Sequence, residues 1–315
     1  MTAPVILVIG AAGFVGSHLV TALRARYGEA AVISAGRGMR SGNGKALDVT
    51  DGAAIHAAID AYAPTDVVNL AGLAAPAEAA RLERAAWNLH VHAAADLGEV
   101  LLKRRPEARL IHIGSGLAYG RTALHGRPVR EDEPLEPMDT YGVTKAAGDL
   151  ALGALAGRGL RVVRMRPFNH TGAGQRTGFA VPAFAAQIAE IEAGAKEPVL
   201  DVGNLDAARD FLHVSDVVDA YATVIDAGDA VTDGRALNVA SGRAVPMREV
   251  LSRLLALSER EITVQQDPAR QRPSDLPTVA GDAAALHGVT GWQPRATLDD
   301  ALHDVLEHER AKLRR

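Results

Sequence analysis

The chain has 315 residues, 48% hydrophobic and 23% charged, with a formal net charge of -4 and no cysteine. That length supplies one large or two modest domains with a substantial core, while the lack of cysteine excludes disulfides, thiolate metal sites, iron–sulfur clusters and a cysteine nucleophile, so redox work needs a borrowed cofactor. The balanced charge, with scattered arginines, offers nothing to nucleic acid, and the apolar run Val5 to Ile9 is too short to span a bilayer and follows no basic leader, so a soluble cytoplasmic protein is expected.

That run, Val5–Ile9, predicts a first strand, followed at once by Gly10-Ala11-Ala12-Gly13-Phe14-Val15-Gly16 and a helix from Ser17 to Tyr27 that stops at Gly28. Glycines between strand and helix let the backbone approach a pyrophosphate, and the free amides at the positive end of the helix favour the anion. Gly10, Gly13, Phe14, Val15 and Gly16 are therefore candidate cofactor contacts, although the spacing is G-x-x-G-x-x-G and not G-x-G-x-x-G. A second strand over 31–34 leads into Ala35-Gly36-Arg37 without the acid that holds the ribose of NAD. Arg37, with Arg40 nearby, suits the extra phosphate of NADP, so NADP(H) is favoured and NAD(H) stays open; Asp48 and Val49 are candidates at the adenine.

A third strand over Asp66–Leu70 is followed by Ala71-Gly72, then by an Ala-rich helix from Pro76 to Lys103. His90 and His92 lie two apart on that helix and so do not share a face, and no metal is expected. The fourth strand, Arg109–Ile113, buries His112 as a packed or hydrogen-bonded side chain and ends in Gly114-Ser115. A helix over Tyr141–Ala156 and a fifth strand over Arg161–Met165 follow. The rhythm then breaks into a Gly/Thr-rich loop, His170 to Gly178, and shorter helices, with Ala236–Ala240 reading as a strand that returns to the sheet. This alternation predicts an α/β fold, a doubly wound parallel Rossmann sheet with a smaller C-terminal substrate lobe. The dinucleotide-binding domain is expected over 1–167, joined by 211–240, and the lobe over 168–210 and 241–315.

Tyr141 and Lys145 stand four residues apart, on one helix face, one loop beyond the strand that ends at Ser115. In a doubly wound sheet all three converge at the carboxyl edge, where ligands bind. A phenol with pKa about 10 is a poor acid–base at neutral pH until a cation favours its anion. Lys145 is expected to do that and to hold the nicotinamide ribose, with Ser115 orienting the reacting oxygen.

Taken in this order, these residues resemble the extended short-chain dehydrogenase/reductase family, in its nucleotide-sugar branch, over essentially the whole chain. The resemblance implies a glycine loop at Gly10, Gly13 and Gly16 and a catalytic set of Ser115, Tyr141 and Lys145. Leu70, Ala71 and Gly72 would pass beneath the cofactor, though many members have His-Leu-Ala-Ala where this chain has Asn69 to Gly72, and Asn88 would be the supporting asparagine. Dehydratases of the group carry carboxylates just after the hydroxyl residue; here Gly116 and Leu117 stand there, which disfavours dehydration and leaves ketone reduction and 4-epimerisation.

Arg166-Pro167-Phe168-Asn169-His170-Thr171-Gly172, the stretch 187–192, Val202 to Leu205 with Arg209-Asp210-Phe211, and Arg270 to Asp275 resemble members that handle GDP-mannose derivatives. They imply reduction of GDP-4-keto-6-deoxy-D-mannose to GDP-D-rhamnose, with Ser115, Asn169, Val181, Arg209 and Arg272 at the substrate. A 4-epimerase, a reductase giving GDP-6-deoxytalose and a non-catalytic NADP-sensing regulator are the alternatives, and ion pairs with Asp210 and Asp275 are the alternative use of the two arginines. The family's dimer implies pairing of the helix ending near Lys103 and the Tyr141 helix across a two-fold axis, with Ala93, Ala94, Ala95, Ala146 and Ala147 allowing close approach; burial of these alanines within one chain is the other reading.

Overall fold

The computed structural model describes residues 4–39, 44–270 and 276–314. Its first half runs β1 (Ile6–Ile9), α1 (Phe14–Tyr27), β2 (Val32–Gly36), β3 (Gly44–Ala46), α2 (Gly52–Tyr62) and β4 (Asp66–Asn69). It continues through α3 (Pro76–Arg81), α4 (Glu83–Trp87), a π-helical turn (Asn88–His92), α5 (Ala93–Arg104), β5 (Arg109–Ile113), α6 (Thr140–Ala156) and β6 (Val162–Pro167). The second half holds β7 (Asn169–Thr171), α7 (Ala180–Glu192), β8 (Val199–Val202), β9 (Ala208–His213), α8 (Val214–Ala227) and β10 (Asp233–Val239). After these come β11 (Ala244–Pro246), α9 (Met247–Ala256), β12 (Thr263–Gln266), β13 (Thr278–Val279), α10 (Ala284–Thr290) and α11 (Leu298–Leu313).

Seven parallel strands form one sheet in the order β10-β6-β5-β4-β1-β2-β3. The chain therefore reverses its direction of travel between β1 and β4, which opens a crevice beyond their carboxyl ends. Strand side chains alternate between two cores: Ile6, Val8, Ile111 and Val163 meet α1 and α8, while Leu7, Ile9, Leu110 and Val162 meet α2, α5 and α6. Helix α2 shows how the sequence sets an element: Asp51 accepts from the Ala53 and Ala54 amides at its start, and Ile55, Ala58 and Ile59 make one buried stripe.

Two expectations are corrected and one element is added. The first helix starts at Phe14, not Ser17, because Gly13 is its N-cap. The short strand β3 at the sheet edge had no signal in the apolar pattern, since its residues are mostly exposed. The long helix expected over 76–103 is three pieces, interrupted at Leu82, whose φ of -121° and ψ of 49° are not helical, and by the π-turn.

The lobe gathers β11, β9, β13 and β7 into a small mixed sheet and pairs β8 with β12. Its own core, with Phe184, Ile188, Leu200, Val250, Leu302 and Val305, lies among α7, α9 and α11. Among the described residues no helix is long and apolar enough to cross a membrane.

Candidate active site

Parallel pairing in register brings the candidate residues to one edge: Ile9 lies beside Ala35 and Asn69, Asn69 beside His112, and Ile113 beside Met165. At the end of β1, Gly10 turns with φ of 84°, and a Cβ there would stand 3.0 Å from the Leu70 carbonyl carbon. A Cβ at Gly16 would overlap the Gly10 carbonyl oxygen. Only glycine allows both the turn and the close packing of α1 beneath it. No side chain caps the first amides of α1 and no acid stands in its first turn, which leaves a positive helix end suited to a diphosphate.

Around this cradle, Phe14 stacks on the His170 ring at 6.2 Å and 9°. Val15 is half-buried beside it and Arg37 is exposed just after β2, which ends without a carboxylate. Arg40 lies outside the described residues. Asp48 accepts from the Thr50 amide and hydroxyl, and these bonds hold its carboxyl below the usual range; Val49 packs into the core. The loop after β4 is pinned by the Ala71 amide donating to Asn69 Oδ1 at 3.1 Å. This set fits a dinucleotide.

Helix α6 begins where Asp139 Oδ1 accepts from the Gly142 amide at 2.7 Å, and so turns Tyr141, Thr144 and Lys145 inward together. Ser115 opens a short 3-10 turn, its Oγ accepting from the Leu117 amide at 3.1 Å. Lys145 Nζ donates to the Ile113 carbonyl at 3.0 Å and stands 6.0 Å from the centre of the Tyr141 ring. Burial pushes the Tyr141 phenol up to about 12, opposed by a hydrogen bond with Ser115, and pushes Lys145 down to about 8. Desolvation is the largest influence on the phenol, so in this structure Tyr141 is a neutral phenol with a proton to give.

Behind the trio a buried ion pair braces the sheet edge. Arg166 donates to both Asp149 oxygens at 2.9 Å and to Tyr119 Oη at 2.8 Å, and Tyr119 donates to Asn238 Oδ1 at 2.8 Å. Sequence reasoning missed this network and also His90, which lies at the heart of the site: its signals were single polar letters in apolar elements, and their partners are distant in the chain. His112 is buried and has no hydrogen-bond partner among the described residues, so its role there is packing.

Asn88 is exposed and lines a hollow of about 470 Å³ with Arg81, Glu83 and Arg84. Asn169 is exposed on β7. Val181 is 2% exposed and belongs to the lobe core. Arg209 is half-buried and donates to the Ala208 carbonyl at 2.8 Å. Its neighbour Asp210 is taken up by the Ser241, Gly242 and Gly281 amides and the Ser241 hydroxyl. Arg272 and Asp275 lie outside the described residues.

Comparison with known proteins follows this geometry. Residues 6–240 match the NAD dependent epimerase/dehydratase family. The chain is 34% identical over 252 residues to GDP-6-deoxy-D-mannose reductase of Pseudomonas aeruginosa, covering 80% of this chain and 82% of that protein. It is 29% identical over 334 residues to UDP-glucose 4-epimerase of Azospirillum brasilense, covering 98% and 92%. The solved structure of RMD from Pseudomonas aeruginosa complexed with NADPH superposes with a TM-score of 0.86 at 29% identity, over 98% of this chain and 99% of that one. With the glycine cradle, the Ser115–Tyr141–Lys145 cluster and these likenesses in agreement, the chain belongs to the NAD dependent epimerase/dehydratase family, the extended short-chain dehydrogenase/reductases.

Proposed function

We propose that this protein is an NADP(H)-dependent reductase of a 4-keto-6-deoxy nucleotide sugar, converting GDP-4-keto-6-deoxy-D-mannose to GDP-D-rhamnose. The observation that carries this reading is a neutral phenol and a hydroxyl, Tyr141 and Ser115, at a sheet edge where the next positions offer no acid. A side chain at Gly116 would meet the Phe168 ring at 3.0 Å, and Leu117 is apolar. Such a site protonates a ketone oxygen but has no group there to expel a hydroxyl.

In this reading the amides around Gly10, Gly13, Phe14, Val15 and Gly16 bind the dinucleotide's diphosphate, and Arg37 its extra phosphate. Asp48 and Val49 flank the adenine, Leu70, Ala71, Gly72 and Asn88 border the middle, and Tyr141 with Lys145 meets the nicotinamide ribose. When bound, the cofactor supplies the hydride. Ser115 hydrogen-bonds the ketone oxygen, Tyr141 gives it a proton, and Lys145, an ammonium below about pH 8, stabilises the phenolate left on Tyr141. Asn169, Val181, Arg209 and Arg272 are assigned to the substrate side, the two arginines by their suitability as planar forks for the diphosphate of the sugar nucleotide. The GDP preference rests on the likeness to the Pseudomonas reductase.

The test is to mix the protein with GDP-4-keto-6-deoxy-D-mannose and NADPH, or separately NADH, following absorbance and then the sugar by NMR. Stoichiometric oxidation, faster with NADPH, with GDP-D-rhamnose formed, is the expected result. An intact substrate overturns the reading, and a product of the opposite C4 configuration or a redox-neutral epimer replaces it with the talose-forming or epimerase alternative.

A further inference from the structure

His90 sits in the π-helical turn Asn88–His92, 2% exposed, while His92 in the same turn faces solvent. Its Nε2 accepts from the Leu73 amide at 3.0 Å, on the loop that follows β4. A ring nitrogen that accepts carries no proton, so in the neutral ring Nδ1 is the donor. It lies 2.8 Å from Thr144 Oγ1, whose own proton goes to the Thr140 carbonyl at 2.9 Å. The polarity of the chain from Leu73 through His90 to α6 is thus set from end to end. Beside it the imidazole edge meets the Tyr141 ring at 5.7 Å and 87°.

The backbone on both sides is shaped to this side chain. A Cβ at Gly72 would stand 2.9 Å from His90 Nε2 and 3.4 Å from Lys145 Nζ, and a Cβ at Gly148 on α6 would overlap the His90 carbonyl oxygen. Glycine at these two places lets the loop and the helix close on residue 90. Burial and the Lys145 charge keep the imidazole neutral, its pKa held down to about 3, so the ring does not exchange its donor for an acceptor across ordinary pH. A π-turn is a costly local conformation that tends to mark a functional site, and here it carries His90.

We infer that His90 is a positioning residue that ties the loop at Gly72–Leu73 to the helix bearing Tyr141 and Lys145, so that the cofactor-side loop and the proton donor keep one geometry. The inference rests on the reading of Tyr141 and Lys145 given above. Displacing a catalytic group by about 1 Å can cost up to about 100-fold in rate, and that is the scale at which the tie acts.

Single-turnover oxidation of NADPH by the keto sugar, compared for the intact enzyme, Tyr141→Phe, His90→Leu, His90→Gln and Thr144→Val, tests it. His90→Leu is expected to lower the rate about 10- to 100-fold while NADPH affinity and the KM of the sugar move less than about 3-fold. His90→Gln restores an acceptor for Leu73 and recovers part of that loss; Thr144→Val cuts only the other link and loses part. A purely structural role would lower the melting temperature and leave the rate per folded enzyme unchanged, which overturns the inference, as does a His90→Leu rate within about 2-fold of the intact enzyme. If His90→Leu does not fold, His90→Gln and Thr144→Val both at the intact rate overturn it equally. Should Tyr141→Phe turn over normally, or the intact enzyme not react, the reading of the site fails and hydrogen exchange at the Leu73 amide decides on its own: protection lost in His90→Leu upholds the tie, protection unchanged overturns it.

Discussion

Buried histidines show how environment, not residue type, decides a side chain's work. His90 and His112 lie near Lys145, both held down to about 3, chiefly by burial and then by the Lys145 charge. His90 satisfies both nitrogens, whereas neither nitrogen of His112 has a partner among the described residues. In the unfolded chain both titrate near 6.5. Between that value and about 3 the unfolded state therefore binds more protons than the native one, and stability present above pH 6.5 is lost as the pH falls. His112→Leu removes one such group together with an unpaired buried polar ring that costs about 1 to 3 kcal/mol. Thermal melts from pH 8 to pH 4 are expected to show a variant at least as stable as the parent at pH 7 and with a shallower acid decline; a steeper decline would contradict the assignment.

On the scale of elements, α1 and its glycine cradle are legible in the sequence because a strand, three glycines and an apolar helix stripe all agree. Gly16→Ala puts a methyl group onto the Gly10 carbonyl, backbone against backbone, so neither side can yield. We expect NADPH affinity to fall by more than about 10-fold, equivalent to about 1.4 kcal/mol, measured by cofactor fluorescence, while Gly288→Ala on α10, where no atom lies within 4 Å and φ is not positive, leaves affinity unchanged. The segment 76–104 carried the opposite lesson. Alanine-rich and free of internal proline, it reads as one helix, yet tertiary contacts impose a break at Leu82 and a π-turn around His90. Intrinsic propensity is a weak prior beside such packing.

For the whole molecule, the alanines expected to line a dimer seam divide: Ala93, Ala94 and Ala146 are buried within the chain, and only Ala95 and Ala147 are half-exposed. The apolar residues left outward on α6 are Val143 at 37% and Leu150 at 58% exposure, seven apart and so on one face. We propose that this face seats a second copy of the chain across a two-fold axis. Light scattering at micromolar concentration is expected to give a dimer mass for the parent and a monomer mass for Leu150→Arg; a monomeric parent would rule the pairing out.

What the sequence determined by itself was the alternation of strand and helix, and with it the α/β sheet, since buried parallel strands must be apolar throughout and their crossovers must be helices. It also determined which positions fall at the ends of strands, so Gly10, Ser115, Tyr141 and Lys145 were legible together: their local spacing and the sheet's order are enough to bring them to one edge. Only the tertiary structure decided the burial of Tyr141 and Val181 and the link from Leu73 through His90 to Thr144. Each of these depends on desolvation or on partners 17 to 54 residues apart, and neither leaves a periodic trace in the chain.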